Sequence, residues 1–140
     1  MKFVDVNLVV GSSYIGIDTS SKIPNPAGYH IAMDPLTGKT AWKIPLREYG
    51  SSAGMLATES GLLFTGLLTG EFIALDQDNG KTLWKFKTGS ALVGPPITYT
   101  HKGVQYVTVL SGRGGAVSGR ALGDTVPAGG SVYTFALMNQ

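Results

Sequence analysis

Apolar residues fall in short runs along this chain, cut every few positions by Gly, Asp, Ser or Pro, as in Gly61-Leu62-Leu63-Phe64-Thr65-Gly66 and Gly103-Val104-Gln105-Tyr106-Val107. Runs of that length bounded by turn formers predict β-strands. The expected strands are 7–11, 29–33 and 40–44, then 54–58, 62–65, 72–75 and 82–86, then 96–99, 104–110 and 132–137. Turns are expected at Glu59-Ser60-Gly61 and Leu68-Thr69-Gly70. Alternation along Thr82-Leu83-Trp84-Lys85-Phe86-Lys87 sends Leu83 and Phe86 to opposite faces, so this strand is expected to be covered on much of both sides.

The pattern repeats. Gly28-Tyr29-His30-Ile31-Ala32-Met33-Asp34-Pro35-Leu36-Thr37-Gly38-Lys39-Thr40-Ala41-Trp42-Lys43 lies over the segment from Gly70 to Lys85 at a shift of 42 residues, and both copies read Ile-Ala-x-Asp-x-x-x-Gly-Lys-Thr-x-Trp-Lys. The unit is a hairpin: an apolar strand ends at an Asp whose carboxylate bonds backbone groups ahead of it, and a Gly supplies positive φ where the turn closes. The Trp is the large plug of the repeat, expected to pack between adjacent sheets. A period of roughly 40 residues with four short strands marks a propeller blade, whose sheet buries its faces against its neighbours. The expected fold class is therefore all-β, a partial β-propeller of about two and a half four-stranded antiparallel blades. Residues 1–140 form one such piece, with repeats near 28–46 and 70–88 and a final partial blade at 93–140. Phe135-Ala136-Leu137 echoes Ile73-Ala74-Leu75, but no Gly-Lys-x-x-Trp strand follows, so the last blade is expected to lack its fourth strand. An unpaired edge invites association. The expected partners are accordingly the remaining blades of a larger propeller, on the same or a separate chain, with a free domain that assembles with copies of itself as the lesser alternative.

Composition narrows the function classes. Of the 140 residues 43% are apolar and 14% charged, with 20 glycines, which suits closely packed strands and tight turns. A net charge of +2 with scattered Lys and Arg leaves no electrostatic footprint for nucleic acid or an anionic membrane. The absence of cysteine excludes disulfides, thiolate metal sites and Cys nucleophiles. In the opening Met1-Lys2-Phe3-Val4-Asp5-Val6-Asn7-Leu8, Asp5 and Asn7 interrupt the apolar run that a signal peptide needs, and no stretch approaches the roughly 20 apolar residues of a membrane span.

At these residues the sequence resembles the PQQ-repeat family, and most specifically the quinoprotein methanol and ethanol dehydrogenases. Ser52-Ala53-Gly54-Met55-Leu56-Ala57-Thr58 is similar to that family's Trp-x-Gly-x-Leu-Ala-Thr, and Phe86-Lys87-Thr88-Gly89-Ser90, Gly94-Pro95-Pro96-Ile97-Thr98-Tyr99 and Gly103-Val104-Gln105-Tyr106-Val107 also resemble it. The likeness runs from about Gly28 to the end and more loosely over Val9-Val10-Gly11-Ser12-Ser13-Tyr14. The resemblance implies an eight-bladed propeller in the periplasm. Pyrroloquinoline quinone (PQQ) would lie near its axis beside a calcium or lanthanide ion, an Asp would act as base, hydride from a primary alcohol would pass to the quinone, and a cytochrome c-type protein would take the electrons. It also implies that the ion's ligands, the catalytic Asp and the Trp beneath the cofactor lie in earlier blades, so that no catalytic or metal residue is expected here and the isolated chain is expected to be inactive. This region would supply one wall, the loop Tyr49-Gly50-Ser51-Ser52-Ala53-Gly54, making Ser51, Ser52 and Ala53 the expected cofactor contacts. The family often carries Asn-Trp or a lone Trp where this chain has Ser51-Ser52, which removes an aromatic contact and leaves hydroxyls. The same repeat also resembles the blades of the outer-membrane assembly lipoprotein, a binding scaffold without a cofactor, which is the alternative function.

Other constellations carry no chemistry. Asp76-Gln77-Asp78-Asn79-Gly80 looks like the start of a calcium loop, but its repeat partner Asp34-Pro35-Leu36-Thr37-Gly38 fills the same turn without those ligands, so a hairpin turn is expected. Gly112-Arg113-Gly114-Gly115 lacks the following helix and Lys of a phosphate loop. His30, expected in a strand, and His101, expected in a turn, have no carboxylate at useful spacing. No Ser sits in a Gly-x-Ser-x-Gly elbow, and the Gly-rich stretch 111–130 is expected to be a long irregular connection.

Overall fold

A computed structural model describes residues 28–46, 53–114 and 126–136. They form nine strands in three antiparallel sheets, with no helix among them. The first sheet pairs β1 (Gly28–Met33) with β2 (Thr40–Leu46). The second runs in chain order through β3 (Met55–Ala57), β4 (Leu62–Gly66), β5 (Glu71–Asp76) and β6 (Thr82–Lys87). The third holds β7 (Ile97–His101), β8 (Val104–Ser111) and β9 (Ser131–Ala136), with no fourth strand among the described residues. The expected strand at 7–11 lies outside the described residues.

The repeat is carried into atomic detail. Ala32 pairs with Trp42 and Ala74 with Trp84, and each hairpin then slips register by one residue, so that Met33 meets Thr40 and Leu75 meets Thr82. Such a bulge sharpens the local twist. In both turns the Asp closes the loop from inside: Leu36 N–H donates to Asp34 Oδ1 and Asp78 N–H to Asp76 Oδ1, each at 2.8 Å. The Thr37 hydroxyl donates to Asp34 Oδ2 at 2.8 Å, and Asn79 Nδ2 to Asp76 Oδ2 at 3.0 Å. The Thr37 hydroxyl, followed by the Leu36 N–H, holds the exposed Asp34 carboxyl below the usual carboxylate range. The expected hairpin turn thus accounts for Asp76-Gln77-Asp78-Asn79-Gly80.

Two expectations are corrected. His101 is the last residue of β7, and the turn is Lys102-Gly103, both left-handed at φ 50° and 78°, as a two-residue hairpin of this twist requires. β6 is exposed at all six positions, because it is the outermost strand of its sheet, with no strand beyond it among the described residues. Its Trp84 nevertheless does what a plug should. It meets Phe135 of the third sheet edge-on at 5.2 Å and Phe72 of its own sheet at 6.0 Å.

Between the second and third sheets Phe72, Leu92, Val107 and Val109 are buried, with Leu56, Phe64, Tyr133 and Phe135 packed against them. Full burial of a side chain such as Phe72 stabilises by about 2–3 kcal/mol, so this inter-sheet seam anchors the second and third sheets as one unit. The first sheet docks on the second through Trp42, whose Nε1–H donates to the Gln77 carbonyl in the β5–β6 turn at 2.8 Å.

Candidate functional site

Because neighbouring strands alternate in direction, the stack has two unlike ends. The tight turns at 34–39, 58–61, 76–81 and 102–103 gather at one. At the other lie the longer connections: Ala53-Gly54, 67–70, 88–96, 112–114 and 126–130. Of the expected cofactor wall, Ser51, Ser52 and Ala53, only Ala53 is described, and it lies at this loop end. Ser51 and Ser52 lie outside the described residues; Ala53 is half-buried at the entry to β3.

What holds that entry is a set of close backbone approaches. The Gly54 carbonyl accepts a hydrogen bond from the fully buried Thr65 hydroxyl at 3.3 Å, and a Cβ on Gly54 would stand 3.0 Å from Pro95 Cβ. The loop after β6 is therefore pressed against the strand that Ala53 enters. Leu92 of that loop is driven into the space over Gly66, where an added Cβ would meet Leu92 Cβ at 2.3 Å. Leu92 N–H also donates to the Leu67 carbonyl at 3.2 Å, Gly112 N–H donates to the Ala91 carbonyl at 2.8 Å, and Leu92 bridges Ser111 of β8. One leucine thereby ties the loop of one sheet to the strands of two.

Beside this wedge lies a buried polar network. Thr88 Oγ1 is within hydrogen-bond reach of the Gly70 carbonyl at 3.1 Å and the Ser90 carbonyl at 2.9 Å. Ser111 Oγ reaches Thr88 Oγ1 at 2.8 Å and the Ser90 carbonyl at 3.2 Å. Tyr133 O–H donates to the Thr88 carbonyl at 2.8 Å, and Ser90 Oγ donates to the Pro127 carbonyl. No buried side-chain polar atom among the described residues lacks a partner. A fully satisfied network of neutral groups in a low-dielectric interior is rigid, since breaking any link strands a desolvated group at a cost of about 1–3 kcal/mol.

Among the described residues no three His, Cys, Asp or Glu side chains converge to hold a metal ion. His30 sits in β1, buried in the first sheet, where loss of hydration pushes its imidazole below the ordinary 6.5. Sequence reasoning missed the Thr88, Ser90, Ser111 and Tyr133 network and the Leu92 wedge. Their residue types are common and uncharged, and the strands that bring them together are 23 to 45 positions apart in the chain.

Comparison with known proteins gives this architecture relatives. The chain is 41% identical to the quinoprotein ethanol dehydrogenase of Pseudomonas putida over 94% of its length, and 43% identical to the lanthanide-dependent methanol dehydrogenase of Methylorubrum extorquens over 89%. It spans about a fifth of either relative, 22%. Among solved structures it is similar to the quinohemoprotein alcohol dehydrogenase from Comamonas testosteroni, with 33% identity and a TM-score of 0.67 over 76% of this chain and 16% of that one. A europium-containing methanol dehydrogenase matches at 34% and 0.66, over 76% of this chain and 23% of that one. The three stacked sheets are thus part of a propeller, as the repeat predicts. A family model described as outer membrane protein assembly factor BamB matches residues 28–133, the same stretch in which the Trp-bearing hairpins recur, and by that match the chain belongs to the PQQ-repeat family.

Proposed function

We propose that the chain forms closing blades of the eight-bladed propeller of a PQQ-dependent alcohol dehydrogenase, oxidising a primary alcohol in the periplasm and passing electrons to a cytochrome c-type acceptor. The observation that carries the reading is the 41–43% identity to quinoprotein alcohol dehydrogenases, sustained over 89–94% of the chain and so including the loop end. In this reading Ser51, Ser52 and Ala53 face PQQ, and the close approach of Pro95 to Gly54 supports the strand entry that follows them. The described residues do not fit the calcium or lanthanide ion that accompanies the cofactor, since among them no three carboxylate or imidazole side chains converge. The remaining blades of the propeller supply those donors and the base.

A second reading, a propeller scaffold without cofactor, is favoured by the description of the matching family model. Replacing the corresponding segment of the Pseudomonas putida quinoprotein ethanol dehydrogenase with residues 28–136 of this chain separates the two. The dehydrogenase reading expects a chimera that binds PQQ and oxidises ethanol in a dye-linked assay within about tenfold of the parent, a barrier change of about 1.4 kcal/mol. A chimera with native circular dichroism that binds no PQQ sinks that reading and supports the scaffold.

A further inference from the structure

Asn79-Gly80 is the one Asn-Gly pair in the sequence, and it lies in the tight turn between β5 and β6. Such a pair carries a reaction of its own. The backbone nitrogen of the following residue can attack the asparagine Cγ, and glycine, having no side chain, leaves that nitrogen uncrowded. The repeat shows that this turn does not need an amide. In the first hairpin the same position is Thr37, whose hydroxyl donates to Asp34 Oδ2 at 2.8 Å and accepts from the Lys39 N–H at 3.4 Å. Asn79 makes the same two bonds with its amide, Nδ2 donating to Asp76 Oδ2 at 3.0 Å and Oδ1 accepting from the Lys81 N–H at 2.8 Å.

Every atom of that reaction is engaged while the turn is closed. The leaving nitrogen is held by Asp76 Oδ2 and the acyl oxygen by the Lys81 N–H, and the nucleophile, the Gly80 N–H, donates to the Asp76 carbonyl at 2.8 Å. Gly80 is buried at φ 71° under two side chains of the first sheet: an added Cβ would meet Ile44 Cδ1 at 2.7 Å and Trp42 ring atoms at 2.9 Å. The Trp42 indole N–H fastens the same turn by donating to the Gln77 carbonyl at 2.8 Å. Asn79 itself is exposed, so water reaches it. The Gly80 nitrogen can leave the Asp76 carbonyl for Cγ only if the turn opens locally, and that opening lifts the Trp42 ring off Gly80.

We infer that Asn79 is a latent deamidation site whose conversion is gated by the seating of Trp42 on Gly80. When the turn opens, the Gly80 nitrogen bonds to Asn79 Cγ, the Cγ–Nδ2 bond breaks, and ammonia leaves carrying the amide proton. Water then opens the cyclic imide to an aspartyl or isoaspartyl residue at position 79. The product does not close the turn again. An aspartyl carboxylate lacks the Nδ2 donor and faces the Asp76 carboxylate, where like charges repel. The isoaspartyl form adds a backbone carbon to a hairpin whose register is set by the bulge between Ala74 and Leu75. A first sheet that has come off the second therefore loses its seat permanently. The inference goes beyond the dehydrogenase reading, since the site belongs to the repeat's turn and not to the loop end.

The test incubates the full chain in mildly alkaline buffer at physiological temperature and follows the mass of the proteolytic fragment that contains Asn79. A free synthetic peptide with the sequence of Asp76–Lys85 is the unstructured reference. The expected result is conversion about tenfold or more slower in the chain than in the peptide. Trp42→Phe, which keeps an aromatic ring and loses the indole donor, should convert about three- to tenfold faster than the parent. Gly66→Ala destabilises the second sheet away from this turn, at Leu92, and should convert at the parental rate. Asn79→Thr should gain no mass and keep the parental melting temperature, as Thr37 does the same work in the first hairpin. Conversion in the chain at the peptide's rate, an unchanged rate in Trp42→Phe, or equal acceleration by Trp42→Phe and Gly66→Ala overturns the inference. So does a converted chain that melts at the parental temperature. Each of these outcomes is independent of whether the chimera described above oxidises ethanol.

Discussion

Lys102 holds a left-handed backbone at φ 50° that an L side chain adopts at a cost of about 1 kcal/mol, while its neighbour Gly103 adopts φ 78° freely. Lys102→Asn keeps the turn and lowers that cost, so chemical denaturation should show a gain of about 0.5 kcal/mol with an unchanged m-value. His30 makes a different kind of residue-scale prediction. Burial lowers its folded pKa, so as pH falls the unfolded chain takes up the proton first. Its contribution to stability is therefore complete above the ordinary 6.5 and is lost as pH falls through 6.5 toward the folded value. Melting temperatures of the parent should drop across that window, and His30→Gln should flatten the drop; a parallel decline in both proteins would show that His30 is not the cause.

At the scale of elements, the strands and turns were legible because their signals are local. Asp34 and Asp76 close their own turns within three residues, and Gly38 and Gly80 take positive φ in the same hairpins. What joins one element to the next was not legible, because Leu92 over Gly66 is a contact between a loop and a strand 26 residues earlier. Gly66→Ala places a Cβ 2.3 Å from Leu92 Cβ, and the core must shift at a cost of about 1–3 kcal/mol. Leu92→Gly alone leaves a hole but removes the Cβ that Gly66→Ala would strike, so in the double variant the two changes should partly cancel, with a coupling energy of about 1 kcal/mol or more in a double-mutant cycle. Strict additivity would mean that the wedge is not the tie described here. The loop Tyr49-Gly50-Ser51-Ser52-Ala53-Gly54 was found through resemblance to a family, and the contacts of its last residue, Gly54, with Thr65 and Pro95 became visible only with the sheets in place.

At the scale of the whole molecule, the stack ends in two apolar faces. One outer face of the third sheet carries Ile97, Tyr99, Leu110 and Val132, the last 66% exposed, and the far face of the first carries Tyr29, Ile31 and Met33. Contiguous apolar area of this kind drives association in water. Light scattering should therefore show mass rising with concentration, and the pair Leu110→Lys and Val132→Thr should reduce that rise without lowering the melting temperature by more than about 1–2 °C, since both side chains are already in water. An unchanged concentration dependence would place the association elsewhere. The same faces bear on the proposed function, because a blade that expects neighbours on both sides is a component of a ring.

The repeated Asp, Gly and Trp positions were enough by themselves to determine the hairpins, their 42-residue period, the all-β class and a propeller-blade architecture, because each of those follows from local turn chemistry and from a plug that only a neighbouring sheet can cover. Tertiary structure alone decided that β6 is exposed, that Leu92 locks the loop end, that Thr88, Ser90, Ser111 and Tyr133 share one network, and that the Trp42 indole donates to the Gln77 carbonyl. These depend on which residues meet across tens of positions of chain, and side-chain type carries no information about a partner that distant until the sheets are stacked.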